Sequence, residues 1–464
     1  MLFSSVTFLF CFLPFVIVFY YIINPVLRNL FLLIASLFFY AWGEPKYLLV
    51  MVGVIGLNYV LGLLISEFER YKKIFLILAV VGNLSILFFF KYIDFIIINI
   101  NSVTGLHLDL YKIALPIGIS FYIFQSMSYI IDLYKGNVSA QYNICKFALY
   151  VSLFPQLIAG PIVKYRDIAS EIDNRSVSLD DIVEGIRRFI IGLGKKVLLA
   201  NTLGEVTDKI FLAGTSDISI SIAWLGAICY SLQIFFDFSG YSDMAIGLGR
   251  VFGFHFLENF NYPYISSSVT EFWRRWHISL STWFKEYLYI PLGGNRVSKM
   301  RNTFNLLIVF FATGLWHGAS WNFVIWGLWH GLFLMIEKRI LLSGNSEITW
   351  FHKLSSHIYV ILVFVFGWVF FRAENLSVAI DYISVMVGIK SNPVVGFGLL
   401  YYLNRKIITI LIISFFFCYP WKYDFFEKHK GGFIAKDILL FLMLISSIAS
   451  IASSGYNPFI YFRF

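Results

Sequence analysis

Two histidines occupy equivalent positions in a stretch of sequence that is otherwise apolar. The stretch GLWHGASWNFVIWGLWHG (residues 314–331) contains the pentapeptide GLWHG twice, so that His317 and His330 each follow a tryptophan. An imidazole can take up and release a proton near neutral pH, which is the task of a general base in acyl transfer. Burial of a polar ring in apolar surroundings is costly, so each histidine requires a hydrogen-bond partner or a chemical role.

The separation of the two histidines along the chain argues against one shared site. Thirteen positions at about 100° per residue amount to roughly 220°, so the rings would point to opposite sides of an unbroken helix. Gly314 and Gly318 flank His317 and allow the backbone to bend and another group to approach closely. A packed histidine bonded to a neighbouring helix is the alternative for His317 and the preferred interpretation of His330. Neither has a nearby carboxylate or cysteine in sequence, so no metal site is predicted.

A third histidine lies in a charged segment upstream. In SSSVTEFWRRWHISLSTWFKEYLYIPLGGNR (residues 266–296), Ser268 and Glu271 have the spacing of a capping box, which predicts that a helix begins near Val269. Pro291 and the glycines after it predict the end of that helix. The segment carries too many charged side chains for a helix that crosses a lipid bilayer.

The same segment combines aromatic rings with positive charge. Trp273, Trp276 and His277 fall at i, i+3 and i+4 and hence along one stripe of the predicted helix, which Ser281 and Lys285 extend. An amphipathic helix at the membrane interface, or one that enters a protein-lined cavity, fits this pattern. A helix that only anchors the protein at the lipid headgroups is the alternative.

Further polar side chains lie within apolar stretches. They are Gln125, Asp132, Gln156, Gln233, Asp237 and Asp243. Asp237 and Asp243 flank Gly240 in FDFSGYSD, a pattern that predicts a helix break lined by polar groups. Hydrogen bonds between helices would satisfy such side chains, and a water-filled channel would do so equally well.

The composition is that of an integral membrane protein. Of the 464 residues, 59% are hydrophobic and only 14% are charged, whereas soluble proteins carry about 25% charged residues. Apolar runs near the roughly 20 residues that span a bilayer recur along the chain. The clearest are Thr7–Ile23, Asn29–Trp42, Leu48–Ile65, Ile74–Phe90, Ile113–Ile131, Phe147–Ile158, Ile218–Phe236, Phe304–Trp316, Trp321–Ile336, Ile358–Phe371, Ile407–Phe417 and Ile438–Ile451. They predict an all-α polytopic membrane protein with about a dozen membrane segments and one domain over residues 1–464.

Basic residues predict the orientation of the chain. None precedes the first apolar run, whereas Arg28 follows it and Arg70, Lys72 and Lys73 follow the third. By the positive-inside rule, the N-terminus lies outside the cytoplasm and the basic loop 296–301 lies inside. The net charge of +9 fits such loops and contact with anionic membrane lipid, so no nucleic-acid partner is expected. The four cysteines have no metal-ligand spacing and are expected to be small core residues.

Longer stretches of the sequence resemble the membrane-bound O-acyltransferase (MBOAT) family. TEFWRRWHISLSTWFKEYLYIPLGGNR and ATGLWHGASWNFVIWGLWHG look like the family signature, and the core motif region is 266–331. The resemblance continues through LPIGISFYIFQSMSYIIDLYKG, FPQLIAGPIVKYRD and the closing FIYFRF. It is to the bacterial branch that contains the membrane subunits of alginate and peptidoglycan O-acetylation. The teichoic acid D-alanyl transfer protein is a more distant relative.

The resemblance implies an architecture and a catalytic site. Membrane helices would form a ring around a central funnel, with interfacial and re-entrant helices, and a constriction near the middle of the membrane. His317 carries over as the catalytic residue, and His277, the second catalytic candidate, lies on the cytoplasmic side of the same passage. Neutral histidine suits proton removal from an acceptor hydroxyl, and a narrow passage protects a thioester from water. The candidates for substrate or donor binding are Trp273, Arg274, Arg275, Trp276, Lys285, Trp316 and Gln156. Among them, Arg274, Arg275 and Lys285 are expected to attract an anionic donor.

The implied function is transfer of an acetyl group from a cytoplasmic thioester across the cell (inner) membrane for O-acetylation of a cell-surface polysaccharide. Acetyl-CoA or a carrier-bound acyl group would be the donor, and no tightly bound cofactor is expected. An extracytoplasmic SGNH-type, esterase-like protein is the implied partner, with an acyl carrier as a further partner in the cytoplasm. D-alanyl transfer to teichoic acid is the alternative within this class. A transporter or lipid-linked sugar flippase is the alternative from another class, although the sequence lacks the internal symmetry that transporters often show.

Overall fold

The computed structural model describes residues 1–338, 350–390, 397–420, 432–458 and 460. The regular elements within these residues are helices, and no β-strand occurs among them. The prediction of an all-α protein is therefore confirmed.

The chain forms two compact units. The first consists of residues 1–189 and 241–258, and the second of residues 190–240 and 259–464. The chain passes from one unit to the other three times, and two of these passages fall inside the long helices Leu179–Gly194 and Ile220–Val251. The expectation of a single domain over residues 1–464 stays a prediction.

Twelve helices precede the charged segment in the described part of the chain. They are α1 (Leu13–Ile22), α2 (Arg28–Gly43), α3 (Leu48–Glu67), α4 (Lys72–Lys91), α5 (Ile93–Thr104), α6 (Ile119–Tyr134), α7 (Ile144–Ser152), α8 (Phe154–Leu157), α9 (Tyr165–Asp173), α10 (Leu179–Gly194), α11 (Asn201–Leu212) and α12 (Ile220–Val251). Short π-helical turns at Phe8–Phe12 and Lys195–Ala200 lead into α1 and α11.

The remaining helices of the described residues belong to the second unit. They are α13 (Val269–Arg275), α14 (Ile278–Phe284), α15 (Lys299–His317), α16 (Trp321–Ile336), α17 (Trp350–Arg372), α18 (Leu376–Met386), α19 (Leu399–Tyr402), α20 (Arg405–Phe417) and α21 (Gly432–Ser453). A π-helical turn, Lys285–Tyr289, continues α14.

Six helices of the described residues are long and apolar enough to cross a membrane. They comprise Pro25–Gly43, Leu48–Glu67, Glu69–Lys91, Ile220–Val251, Lys353–Arg372 and Ile434–Ser453. Shorter apolar helices account for four more segments: Phe8–Ile22, Ile93–Thr104, Trp321–Ile336 and Leu376–Met386. By length and composition, these helices are suited to a protein embedded in a membrane.

Two predicted membrane segments differ from the helices that form. In the segment Ile113–Ile131, the helix begins only at Ile119, because Gly118 before it adopts a left-handed conformation with φ 74°. The segment Phe147–Ile158 is interrupted after Ser152. Hydrophobicity marks both stretches as buried but does not reveal where the backbone leaves the helix.

The predicted helix break around Gly240 is wrong. α12 continues through this residue as one helix from Ile220 to Val251. Gly240 instead permits close helix packing, since a Cβ at this position would lie 2.7 Å from the carbonyl oxygen of Gly192 in α10. Asp237 and Asp243 each pair with a basic side chain, so neither requires an opening in the helix.

In the first unit, two buried asparagines join neighbouring helices. Asn58 in α3 donates to Asn83 Oδ1 at 3.0 Å, and Asn83 in α4 donates back to Asn58 Oδ1 at 2.7 Å. Each side chain also donates to a carbonyl one turn earlier in its own helix. Hydrogen bonds of this kind stabilise helix packing where water is absent.

In the second unit, a buried ion pair holds the C-terminal segment. Lys196 Nζ lies 2.7 Å from Asp237 Oδ1, and both side chains are almost completely buried. Lys196 also donates to the carbonyl of Pro458, and Asp237 accepts the N–H of Ile460 at 3.1 Å. Pro458 and Ile460, which follow α21, are therefore held by this buried ion pair.

Candidate active site

His317 is the last residue of α15, at the turn into α16. The two helices pack closely at glycines: a Cβ on Gly314 would lie 2.4 Å from the carbonyl oxygen of Phe323, and one on Gly327 would lie 2.2 Å from that of Phe310. These two residues are the first glycines of the two GLWHG copies, so the repeated motif builds the helix pair that carries His317. The helix break expected after His317 is confirmed.

Aromatic rings enclose the imidazole of His317. Its centroid lies 4.9 Å from those of Trp316 and Trp326 and 5.1 Å from that of Phe371, each in an edge-to-face arrangement. The residue is 6% exposed, so a small part of its surface stays accessible. Apolar walls of this kind exclude bulk water, which protects a reactive ester or thioester from hydrolysis.

The predicted start of the charged segment's helix is correct. Ser268 Oγ accepts the N–H of Glu271 at 3.0 Å, and α13 begins at Val269. The Glu271 carboxylate reaches the N–H of Ser267 at 2.9 Å, one residue earlier than in a regular capping box. Partial burial alone would raise the pKa of Glu271, but the hydrogen bonds from Ser267 and from the Arg275 guanidinium outweigh it and hold this pKa below its ordinary value.

His277 lies at a sharp corner between two short helices. α13 ends at Arg275, α14 begins at Ile278, and His277 itself has a left-handed backbone with φ 43°. The prediction of one continuous helix with Trp273, Trp276 and His277 on one stripe is therefore wrong. A left-handed non-glycine residue costs about 1–3 kcal/mol, and such strain persists where surrounding contacts enforce it, often at functional sites.

Trp316 contacts both catalytic candidates. Its ring centroid lies 6.0 Å from that of His277 and 4.9 Å from that of His317. On another side, the His277 ring meets Phe238 edge to face at 4.6 Å. The structure thus brings His277, Trp316 and His317 together, although they come from separate stretches of the sequence.

His330 is packed among aromatic rings on α16. Its centroid lies 4.6 Å from that of Phe364, 5.1 Å from Trp326 and 5.2 Å from Trp273. The residue is fully buried, and neither ring nitrogen has a hydrogen-bond partner among the described residues. The packing expected for His330 is present, whereas no described residue makes the expected hydrogen bond to a neighbouring helix.

Trp273 in α13 and Trp276 at the end of that helix are buried among the aromatic rings that surround the histidines. Trp273 packs against Trp326 at 5.8 Å and against His330, while Trp276 lies 4.8 Å from Trp368 between ring centroids. Both are less than a tenth exposed. They shape the walls around the histidines, and their role in binding a donor stays a prediction.

Of the three basic residues predicted to bind a donor, one is held in an ion pair and two are exposed. Arg275 forms an ion pair with Glu271 at 2.9 Å and donates to the carbonyl of Asn261. Arg274 and Lys285 are exposed. Arg275 therefore has a structural task in α13, while the other two side chains are available to an anion in solution.

Gln156 belongs to the first unit, in the short helix α8. It is completely buried and donates to the carbonyl of Tyr150 at 2.6 Å. This bond holds the turn between α7 and α8. A role for Gln156 in donor binding stays a prediction.

Glu337 and Asn259 are the site residues that sequence analysis misses. Glu337, at the end of α16, is buried and accepts the N–H of Val269 and, at 2.9 Å, that of Thr270, so it fixes the start of α13 against α16. Asn259 lies beside His277, with 3.1 Å between Oδ1 and Nδ1. Neither belongs to a local motif, and only the fold brings them to the site.

Clusters of metal-binding side chains were also considered. No group of three or more His, Cys, Asp or Glu side chains in the described residues is arranged to hold a metal ion.

The fold and these residues match a known family of membrane enzymes. Residues 79–373 match the family description of MBOAT, membrane-bound O-acyltransferases. The chain belongs to the MBOAT family. It is therefore an acyltransferase, and the matched region of the MBOAT family contains His277, His317 and the aromatic cluster around them.

Relatives of known name agree with this assignment. The chain is 40% identical to the probable alginate O-acetylase AlgI of Pseudomonas putida, over all of both chains. It is 35% identical to the peptidoglycan O-acetyltransferase of Helicobacter pylori, over all of this chain and 98% of that one. It is 30% identical to the teichoic acid D-alanyltransferase of Streptococcus thermophilus, over 48% of this chain and 57% of that one. This MBOAT protein thus resembles two O-acetylating enzymes along its whole length.

Proposed function

We propose that this protein transfers an acetyl group from a cytoplasmic thioester across the cell membrane for O-acetylation of an extracytoplasmic polysaccharide, with His317 as the general base. The observation that carries the proposal is the position of His317. It ends a helix at a glycine-built turn, is enclosed by rings on several sides, and keeps a small accessible surface. A buried base with a small accessible surface is suited to a proton transfer from which water must be excluded.

The transfer at His317 is an acyl substitution. The oxygen of the acceptor hydroxyl attacks the thioester carbonyl carbon, a C–O bond forms and the C–S bond breaks. His317 takes the hydroxyl proton as the new bond forms and returns it to the departing sulfur, so that the free thiol leaves and the imidazole is neutral again. His277, across the ring of Trp316, acts on the donor side of the same passage.

The charge pattern supports the proposed direction of transfer, and the resemblance to the acetylation branch of the family supports the proposed partners. With the basic loop 296–301 in the cytoplasm, the exposed Arg274 and Lys285 of the same segment face an anionic donor such as acetyl-CoA or an acidic acyl carrier. An extracytoplasmic SGNH-type, esterase-like partner supplies the acceptor hydroxyl, carries the acetyl group as an ester, and passes it to a hydroxyl of the polymer, which restores the partner's own hydroxyl. The protein resides in the inner (cytoplasmic) membrane with its N-terminus outside the cytoplasm.

Alginate-type exopolysaccharide and peptidoglycan are the acceptors that the whole-length relatives favour. D-alanyl transfer to teichoic acid is the second candidate, and the relative that bears this name covers about half of the chain. A transporter or flippase is the candidate from another class, and it would leave the polymers without ester-linked acetyl groups. These alternatives predict different products on the cell surface.

His317→Ala tests the proposal, with His330→Ala as the matched control. Both residues are buried histidines that follow tryptophan in the same pentapeptide, so the two changes remove the same ring from comparable surroundings. Mass spectrometry of cell-surface polymers should show loss of O-acetyl esters only in the His317→Ala strain, at equal amounts of folded protein in the membrane. Normal acetylation by His317→Ala would overturn the assignment, and loss of D-alanyl esters instead would favour the second candidate.

A further inference from the structure

Asn259 makes an unusual number of contacts around the His277 corner. Its Oδ1 lies 3.1 Å from His277 Nδ1, 3.1 Å from the backbone nitrogen of Ser279 and 2.9 Å from Ser279 Oγ. Its backbone carbonyl accepts the N–H of Ile278 at 2.9 Å. Asn259 is completely buried. One residue from a distant part of the chain thus binds both the ring and the backbone of the corner.

These contacts fix which way the amide of Asn259 faces. The oxygen and nitrogen of an asparagine amide look alike, and their assignment depends on the hydrogen bonds around them. The backbone N–H of Ser279 can only donate. The Asn259 atom that it faces must therefore be the oxygen, which leaves the same oxygen as the neighbour of His277 Nδ1.

The orientation of the amide in turn fixes the tautomer of His277. A neutral imidazole has one nitrogen that donates and one that accepts. Asn259 Oδ1 can only accept, so its 3.1 Å contact with His277 Nδ1 requires a hydrogen on Nδ1. The Ser279 hydroxyl lies 3.4 Å from the same Nδ1 but donates to Asn259 Oδ1 at 2.9 Å. Nε2 is then left with its lone pair. His277 Nε2 is buried and has no hydrogen-bond partner among the described residues. The only basic atom of the ring is thereby kept for a group that enters the site.

The backbone contacts of Asn259 support the same arrangement. His277 precedes α14 and has a left-handed backbone, so its own side chain does not cap the helix. Asn259 supplies this cap from outside, because it accepts the N–H groups of Ile278 and Ser279. The strain at His277 is therefore opposed by the same residue that holds its ring.

We propose that Asn259 is a positioning residue that holds His277 in the Nδ1–H tautomer, with Nε2 as the hydrogen-bond or proton acceptor. Residues that hold a catalytic imidazole in one tautomer have large effects: in serine proteases, a change that leaves geometry intact but alters the tautomer costs about 10⁴-fold in turnover. The consequence for turnover rests on the proposed function of His277, whereas the tautomer itself does not.

Nuclear magnetic resonance of histidine labelled with ¹³C and ¹⁵N tests the tautomer directly. The resonances of His277 are assigned by their loss in His277→Gln, with the full-length protein in lipid nanodiscs. The wild-type protein should show the Nδ1–H form at neutral pH. An Nε2–H form in the wild-type protein overturns the proposal, whatever the activity of any variant.

Variants of Asn259 then separate the roles of shape and of the acceptor oxygen. Asn259→Leu has the same branching and the same number of side-chain heavy atoms but no acceptor, and should convert His277 to a mixture of tautomers or to the Nε2–H form. Asn259→Asp keeps the acceptor and should retain the Nδ1–H form. Asn261→Leu is the matched control, because it is the same change two positions away at an exposed side chain. An unchanged tautomer in Asn259→Leu overturns the proposal.

The rate of polysaccharide O-acetylation, normalised to folded protein, gives the kinetic readout. Asn259→Leu should lower this rate by about 10-fold or more, up to the 10²–10⁴-fold that a positioned base contributes in full, and Asn261→Leu should not. A converted tautomer with an unchanged rate would contradict a catalytic purpose for Asn259. Full activity of His277→Gln would instead contradict the proposed role of His277, and the resonance experiment would still decide the tautomer.

Discussion

The backbone of Gly367 lies against the imidazole of His330. A Cβ at position 367 would be 2.8 Å from His330 Nε2, which is closer than unbonded atoms pack. The opposite side of the ring cannot yield freely, since Trp273 and Trp326 also contact it. The second histidine of the repeated pentapeptide therefore fills space between α16 and α17.

Gly367→Ala should destabilise the protein by about 1–3 kcal/mol, because an added methyl group in a well-packed core forces its neighbours to move. Thermal unfolding of the purified protein in detergent measures the change. Gly53→Ala in α3 is the control: a Cβ there meets no atom within 4 Å, and alanine favours a helix by about 1 kcal/mol over glycine. Equal stability of the two variants would contradict the tight contact at His330.

Removing one partner of the buried Lys196–Asp237 ion pair should destabilise the protein more than removing both. Lys196→Met leaves a buried carboxylate without its partner and should cost about 3–5 kcal/mol, while the double variant Lys196→Met/Asp237→Leu should recover much of this loss. Thermal unfolding measures both effects on stability, and limited proteolysis monitors the release of the C-terminal segment. If the single and double variants are equally destabilised, the cost comes from lost packing and not from the unpaired charge.

Glu271 should make the stability of α13 depend on pH. Its folded pKa is depressed by the bonds from Ser267 and Arg275, which outweigh partial burial, so the stabilisation is present above the unfolded pKa of about 4.3 and is lost as the pH falls through the folded pKa. Glu271→Gln should therefore be less stable than the wild type by about 0.5–2 kcal/mol at pH 7, the usual value of a cap. This difference should shrink below about pH 4.

Glu44→Gln provides the contrast in the same experiment. Burial raises the pKa of Glu44 despite the nearby N-terminal amino group, so its ionised form is the less favourable one in the folded protein. The amide should cost no stability at pH 7. A deficit of Glu271→Gln that persists unchanged at pH 3.5 would show that the charge of Glu271 has no part in it.

Local patterns in the sequence predict most of the elements that carry the site. The capping spacing of Ser268 and Glu271 places the start of α13 correctly, and the glycines around His317 predict the helix break there. These features depend on residues within one turn of each other, so a single sequence contains the information. The class of fold follows in the same way from apolar runs of membrane-spanning length.

Features that depend on residues outside the local motif cannot be predicted from sequence patterns. The corner at His277 exists because Asn259, 18 residues earlier, bonds to its ring and to the two residues after it, and helical periodicity contains no sign of this. The continuity of α12 at Gly240 depends on partners from other parts of the chain. Polar residues in an apolar stretch indicate that partners exist but not whether the backbone opens to meet them.

Arg274 and Lys285 should attract the anionic donor without taking part in the chemistry. Both are exposed, and exposed charges act at a distance that salt screens within about 8–10 Å. The double variant Arg274→Gln/Lys285→Gln should raise the KM for acetyl-CoA by roughly twofold to thirtyfold, since each of the two exposed ion pairs contributes about 0.2–1 kcal/mol. The kcat should stay within about twofold, because the proton transfer at His317 is unchanged.

Initial rates of acetyl transfer in membrane vesicles, at low and at high ionic strength, measure this effect. The KM of the wild type should rise with salt, while that of the double variant should respond less, because the charges that salt screens have been removed. Arg405→Gln/Lys406→Gln is the charge-matched control, as both side chains are exposed at the start of α20. A fall in kcat with an unchanged KM would place Arg274 or Lys285 in the chemical step. An equal rise in KM in the control would show that only the net charge of the protein matters, and not the position of these two residues.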